Sequence, residues 1–598
     1  MKKILILVFL MALLPLVNAE SGHMKLLAVS DTGNGQVGGI ADLYLEIKPG
    51  SGRVFLETFP LTRLDTQVST RFAKQIACNF ADEDCDEFDF FYTITANSPI
   101  IAGPSAGAAI ATLTFSLIKG IKLDEKTAIT GTINSGGLIG PVGGISAKIY
   151  AANKTGIKKV LIPIGRPIES EKLKLALDNE SKINISIKNE TINLSALIKK
   201  YDIEIIEVPT LDAALFEFTG KKFRERKNNL TISEDYKDVM KNLAIQLCSR
   251  STKLKKEIVN ISLNKSYMDR KESALNLTKK GKKHFEEGLY YSAASYCFGS
   301  NIEFSYLSLL YQNLSEKKIL DEVHKLKKEI KEFEENIENK KIMTITDLES
   351  YMIVKERLIE TNNFLNLVLE YMAYKENALY NLAYAMERFN SAISWAEFLQ
   401  NTGKKFDLNE EVIKNACHIK ISEVEERLQY VQLYLTQDLE GTKKELDYAY
   451  DDLQNGNYEL CLFKASKAKA SVDTILSVFG VSIDNVKGVI EQKLDIVERN
   501  IVEEAEKGIF PVLGYSYFEY ANSLKDSDQF SALLYSSYAL ELSNLGIYFK
   551  SPDNKTISLI KKIDKKFLLT LIAGILIGIF IANPFTFNKK KDIEKCVD

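Results

Sequence analysis

At Lys222 the chain changes texture. Upstream, apolar and polar residues alternate over short runs at 26–29, 41–47 and 54–57, with glycine-rich turns at 33–39 and 50–52. Alternation of period two marks half-buried strands, and glycine clusters separate them. Further strands are predicted at 88–95, 128–133 and 159–163. Helices are predicted at 66–79, where Val68, Phe72 and Ile76 share a face, and at 211–218. Strands and helices interleave without a clean period, so residues 20–222 read as an α+β (α/β) domain.

Downstream, glycine thins out and helical periodicity runs to about residue 549. One theme recurs. Phe285-Glu286-Glu287-Gly288-Leu289-Tyr290, Leu453-Gln454-Asn455-Gly456-Asn457-Tyr458 and Glu504-Ala505-Glu506-Lys507-Gly508-Ile509-Phe510 each close a helix at glycine, add an aromatic and open another helix. Residues 223–560 therefore read as an all-helical domain, either hairpin repeats of the tetratricopeptide kind or a plain bundle. Within it Val323, Leu326, Ile330, Phe333 and Ile337 form the stripe of a helix packing on its neighbour.

Composition removes several classes of function. A net charge of -3 and a pI near 6.1 give no electrostatic case for nucleic acid. His23, His284, His324 and His418 are scattered without ligand-like spacing, so no metal site is expected. No Gly-x-x-x-x-Gly-Lys-Ser/Thr phosphate loop occurs in the sequence, so neither ATP nor any other cofactor is expected.

The two ends carry expectations of their own. Lys2-Lys3, an apolar run at 4–16 and small residues before Glu20 predict a signal peptide at 1–19. A charge-free stretch at 567–587 between lysine clusters predicts a C-terminal transmembrane helix, leaving 588–598 as a cytoplasmic tail. The expected location is the cell membrane, single-pass, with 20–566 outside the cytoplasm. Gly574 and Gly578 are spaced as in helix pairs that approach closely, which leaves a homo-oligomer open. Six cysteines precede the stretch, an even number that suits disulfides; Cys78 with Cys85 is the expected pair, and Cys248, Cys297, Cys417 and Cys461 leave three pairings open.

Residues able to do chemistry concentrate between Gly103 and Gly156. Gly103-Pro104-Ser105-Ala106-Gly107 predicts a tight turn opening a small-residue helix toward Lys119, with Pro104 in its first turn and Ser105 at its N-terminus. There, backbone N–H groups and the positive end of the helix dipole can stabilise an oxyanion on a carbonyl attacked by the serine. By itself the pattern is commoner as a plain helix cap. Gly143-Gly144-Ile145-Ser146-Ala147-Lys148-Ile149 adds a lysine among apolar neighbours in the first turn of another helix. Burial and the dipole both disfavour its ammonium form, pushing its pKa from about 10.4 toward the roughly 7 to 8 that suits a general base. The ordinary alternative is a lysine that snorkels to solvent.

Taken in order, these motifs resemble the serine protease domain of the Lon proteases, over roughly residues 26–220. The resemblance rests on Gly103-Pro104-Ser105-Ala106-Gly107, Thr130-Gly131, Pro141-Val142-Gly143-Gly144 with Lys148, Ala151-Ala152, Gly156-Ile157 and Val160-Leu161-Ile162-Pro163. It implies Ser105 as nucleophile, Lys148 as general base and Thr130 as the hydroxyl orienting the amine; the helix-opening turn itself makes Gly103, Ala106 and Gly107 the expected oxyanion turn. Ala102 and Thr132 stand where many Lon proteins carry acidic residues, and the ATPase module is missing from this sequence. The expected function is an ATP-independent, membrane-anchored serine endopeptidase acting outside the cytoplasm on unfolded or flexible polypeptides, in a quality-control role. The alternative is an inert membrane-anchored scaffold that binds through its helices.

Overall fold

The computed structural model describes residues 20–31, 36–96, 103–164, 174–177, 183–186, 203–224, 234–258, 265–400, 402–432, 439–478 and 486–550. The α/β domain is built on a seven-stranded mixed sheet. Strands β1 (Glu20–Asp31) and β2 (Gln36–Pro49) pair antiparallel along their whole length, with Leu26 opposite Ala41. On one side β2 pairs antiparallel with β4 (Phe88–Ala96), and β4 pairs parallel with the edge strand β3 (Val54–Phe59). On the other side β1 runs parallel to β5 (Thr127–Ile129), then β8 (Lys159–Ile162), then β11 (Glu204–Glu207). The residues expected as a turn at 36–39 extend β2 instead, because Gly38 and Gly39 face Val29 and Ala28 across the ladder.

Alternation sorts side chains onto two faces. Leu43, Leu45, Ile47, Phe90 and Ile94 point to one face, where they meet α1 (Leu64–Ala81), α2 (Gly107–Ile118) and α4 (Leu211–Thr219) in a shared apolar cluster. Leu27, Ala128, Val160 and Ile162 point to the other and cover α3 (Ile145–Lys154). Each fully buried side chain contributes about 1.5–3 kcal/mol, so the two layers hold α2 and α3 firmly on opposite faces of one sheet.

The strand expected at 128–133 is two. β5 ends at Ile129, and β6 (Thr132–Ile133) pairs antiparallel with β7 (Ile139–Gly140) in a separate ribbon. Thr130 and Gly131 form the break: the Thr130 N–H still donates to the Leu161 carbonyl at 3.0 Å, while the Gly131 N–H turns to the Ser105 carbonyl at 3.0 Å. A further two-stranded ribbon, β9 (Lys174–Leu177) with β10 (Ile183–Ser186), was not expected from the sequence.

Twelve described helices follow: α5 (Glu234–Ile258), α6 (Lys265–Glu286), α7 (Tyr290–Gln312), α8 (Glu316–Glu338), α9 (Ile345–Glu370), α10 (Lys375–Trp395), α11 (Glu410–Gln432), α12 (Glu440–Gln454), α13 (Tyr458–Ser477), α14 (Val486–Glu506), α15 (Val512–Leu524) and α16 (Gln529–Leu542). The recurring glycine theme falls on three helix-to-helix turns: Gly288, Gly456 and Gly508 adopt φ of 78°, 79° and 78°. Only glycine takes that left-handed conformation at no steric cost, so the same residue closes each helix. In α8, Val323, Leu326, Ile330 and Ile337 are buried, with Phe333 edge-on to Phe389 of α10. Disulfides join Cys78 to Cys85 at the end of α1, Cys248 of α5 to Cys297 of α7, and Cys417 of α11 to Cys461 of α13.

The membrane reading is corrected. Among the described residues no helix is long and apolar enough to cross a membrane, so neither a single-pass anchor nor a cell-membrane location with 20–566 outside the cytoplasm is supported. The apolar faces of the described helices after residue 222 pack on one another in a shared core. The leader expected at 1–19, the span at 567–587 with Gly574 and Gly578, and the tail at 588–598 all lie outside the described residues.

Candidate active site

Pro104, Ser105 and Ala106 form one tight helical turn that runs directly into α2. Gly103 enters it at φ 97°, a conformation that excludes residues with a Cβ, and Pro104 supplies the fixed φ of a first turn. Inside the turn the Gly107 N–H donates to the Pro104 carbonyl. The turn is pinned to the break between β5 and β6 from both directions: the Gly131 N–H donates to the Ser105 carbonyl, and the Ala108 N–H donates to the Gly131 carbonyl, each at 3.0 Å. Gly131 has no room for more than hydrogen, since a Cβ there would stand 2.4 Å from Cγ2 of Ile139.

Lys148 occupies the first turn of α3, and its N–H donates to the Gly144 carbonyl at 3.0 Å. The side chain is 1 % exposed, so it does not snorkel to solvent. Burial alone drives its pKa down to about 7, since an ammonium in an apolar layer loses its hydration. The amine donates to the Thr130 hydroxyl at 3.0 Å, and that hydroxyl donates onward to the Ser105 carbonyl at 3.4 Å. Thr130 reaches both because the alternation of β5 carries it to the face of Ala128, where α3 packs, while the chain break places it beside the serine turn.

The structure thus brings Ser105, Thr130 and Lys148 to one place, with Gly103, Ala106 and Gly107 in the serine turn. Cys78 and Cys85 lie at the far end of α1, outside this group. Ala102 lies outside the described residues, and Thr132 is buried within 3.5 Å of the Asn134 side-chain amide. Among the described residues no group of His, Cys, Asp and Glu could hold a metal ion.

Two neighbours had no signal in the sequence. Arg427 Nη2 of α11 donates to the Ile133 carbonyl at 2.8 Å and to Asn134 Oδ1 at 2.7 Å, and the Tyr430 hydroxyl of the same helix accepts the Gly143 N–H at 3.2 Å. Both come from nearly three hundred residues downstream, beyond the reach of any local pattern.

A half-buried serine in a helix-opening turn, linked through one hydroxyl to a desolvated amine, is an arrangement suited to serine hydrolases. Residues 86–198 match the family model described as the Lon protease (S16) C-terminal proteolytic domain. The Lon protease of Methanosphaera stadtmanae is 31% identical over 161 residues, 27% of this chain and 17% of the relative. Lon protease 2 of Bacillus subtilis is 44% identical over 142 residues, 24% of this chain and 21% of the relative. The chain therefore carries a Lon-type serine protease domain, while spanning only about a fifth of the length of these curated relatives.

Proposed function

We propose that the chain is a serine endopeptidase that cuts polypeptides with Ser105 as nucleophile and Lys148 as general base. The observation that carries the reading is the buried, depressed-pKa amine of Lys148 held by Thr130. Neutral Lys148 accepts the proton as Ser105 Oγ bonds to the substrate carbonyl carbon. The amine then passes that proton to the leaving nitrogen as the C–N bond breaks. Water, deprotonated by the same amine, releases the acyl group. In this reading the Ala106 amide and the positive end of α2 would stabilise the oxyanion, where a single donor typically contributes about 10²–10³-fold in rate.

The α/β domain at 20–222 would supply the chemistry and the helical domain at 223–560 would hold it. With no phosphate loop in the sequence, the reading is ATP-independent, and its substrates are chains already unfolded or flexible. Incubating the full chain with a permanently unfolded protein, without nucleotide, should yield fragments. Ser105→Ala and Lys148→Ala should each abolish them, and persistence of cleavage in Ser105→Ala would refute the reading.

A further inference from the structure

Thr130 and Lys148 sit at the two ends of one continuous stretch, which passes through β6, β7 and the Gly143-Gly144 turn. The middle of that stretch is gripped by the helical region. Arg427 takes the Ile133 carbonyl and the Asn134 side chain. Arg499 of α14 reaches the Gly136 carbonyl at 3.4 Å, and the Gly136 turn sits against Leu540 and Ile496. The Tyr430 hydroxyl takes the Gly143 N–H.

Arg427 and Tyr430 are three residues apart on α11, hence on one helix face, and both are buried. Arg427 is fixed by its own ion pairs, with Asp473 of α13 at 3.3 Å and Glu426 at 3.5 Å, and Cys417 ties α11 to α13. A rigid helix of the second region therefore sets the backbone on both sides of the gap across which the lysine amine meets the threonine hydroxyl.

We propose that Arg427 and Tyr430 are positioning residues for the Thr130–Lys148 pair, so that the helical region completes the active geometry of the protease domain. The inference rests on Lys148 serving as the base. Tyr430 accepts at Gly143, one residue before the residue whose carbonyl receives the Lys148 N–H, so it anchors the first turn of α3. Releasing it loosens that turn and admits water to the amine. No charged group contributes to the Lys148 shift, which comes from burial alone, so hydration moves the amine back toward its ordinary value.

The test uses the full chain and Tyr430→Phe, which keeps the buried ring and removes only the hydroxyl. If the amine rises by about one unit from about 7, its neutral fraction at pH 7 falls about fivefold and at pH 9 hardly changes. The expected result is a roughly fivefold loss of kcat at pH 7 with KM within about twofold, an acid limb displaced upward by about one unit, and recovery by about pH 9. Leu365→Ala, in the core of α9 and not among the residues of the grip, should lower the melting temperature while leaving kcat and the acid limb unchanged. A Tyr430→Phe enzyme with the wild-type acid limb, or with an equal loss at every pH, would overturn the proposal while leaving the serine reading intact. Cleavage surviving in Ser105→Ala would remove both.

Discussion

The Lys148 amine donates to the Thr130 hydroxyl at 3.0 Å inside an apolar layer, and the same hydroxyl donates to the Ser105 carbonyl at 3.4 Å. One threonine therefore links the proposed base to the turn of the proposed nucleophile, which belong to different helices on opposite faces of the sheet. The arrangement makes the protein's behaviour predictable at several residues.

Thr130→Val keeps the shape and deletes the hydroxyl. The buried amine then has lost its acceptor, at a cost of about 1–3 kcal/mol in stability, and its orientation. Steady-state kinetics should show kcat reduced by roughly 10–100-fold, with Thr130→Ser retaining most of the activity.

Activity should rise with pH through about 7, as the Lys148 ammonium loses its proton in the folded enzyme. Stability follows the same proton. The folded pKa lies below the unfolded value of 10.5, so the unfolded chain binds more protons between those values and Lys148 penalises folding most below about 7. Lys148→Met should therefore stabilise the chain near pH 6, by at most about 5 kcal/mol on the linkage estimate, and the advantage should fade as pH climbs toward 10. Denaturant titrations at the two pH values read the difference directly.

Gly131→Ala places a methyl 2.4 Å from Cγ2 of Ile139, a branched position that cannot swing away. Overpacking of this kind costs about 1–3 kcal/mol, and here it also displaces the amide that holds the Ser105 carbonyl. Thermal unfolding should show the loss in stability, and peptide cleavage should fall with it.

The disulfides should contribute in order of the loop they close. Cys78 and Cys85 are 7 residues apart and Cys248 and Cys297 are 49 apart. Chain entropy gives about 2.5 kcal/mol for the first and about 4 kcal/mol for the second. Paired alanine variants compared by chemical denaturation should rank accordingly.

Much of the site was legible because its chemistry is local. Gly103, Pro104 and Ser105 declare a turn into a helix, and Gly143-Gly144 before Lys148 declares another, so the residue types themselves fix where the hydroxyl and amine begin. The break at Thr130-Gly131 was not legible, because a run from Ala128 to Ile133 reads as one strand until Gly131 is seen to bond sideways to Ser105. Arg427 and Tyr430 were invisible for a different reason: an arginine and a tyrosine on a helix look the same whether they face solvent or another domain. The charge-free apolar run at 567–587 between lysine clusters supported a membrane helix, and no described helix supports that reading.

The most direct test of Ser105 as nucleophile is to trap the acyl-enzyme. A peptide ester mixed with the full chain at roughly pH 6, where Lys148 is largely protonated and deacylation is slow, should add the mass of its acyl half. Fragmentation should locate that mass on Ser105, and Ser105→Ala should acquire none. An adduct on any other residue, or ester turnover by the Ser105→Ala chain at the wild-type rate, would contradict the account.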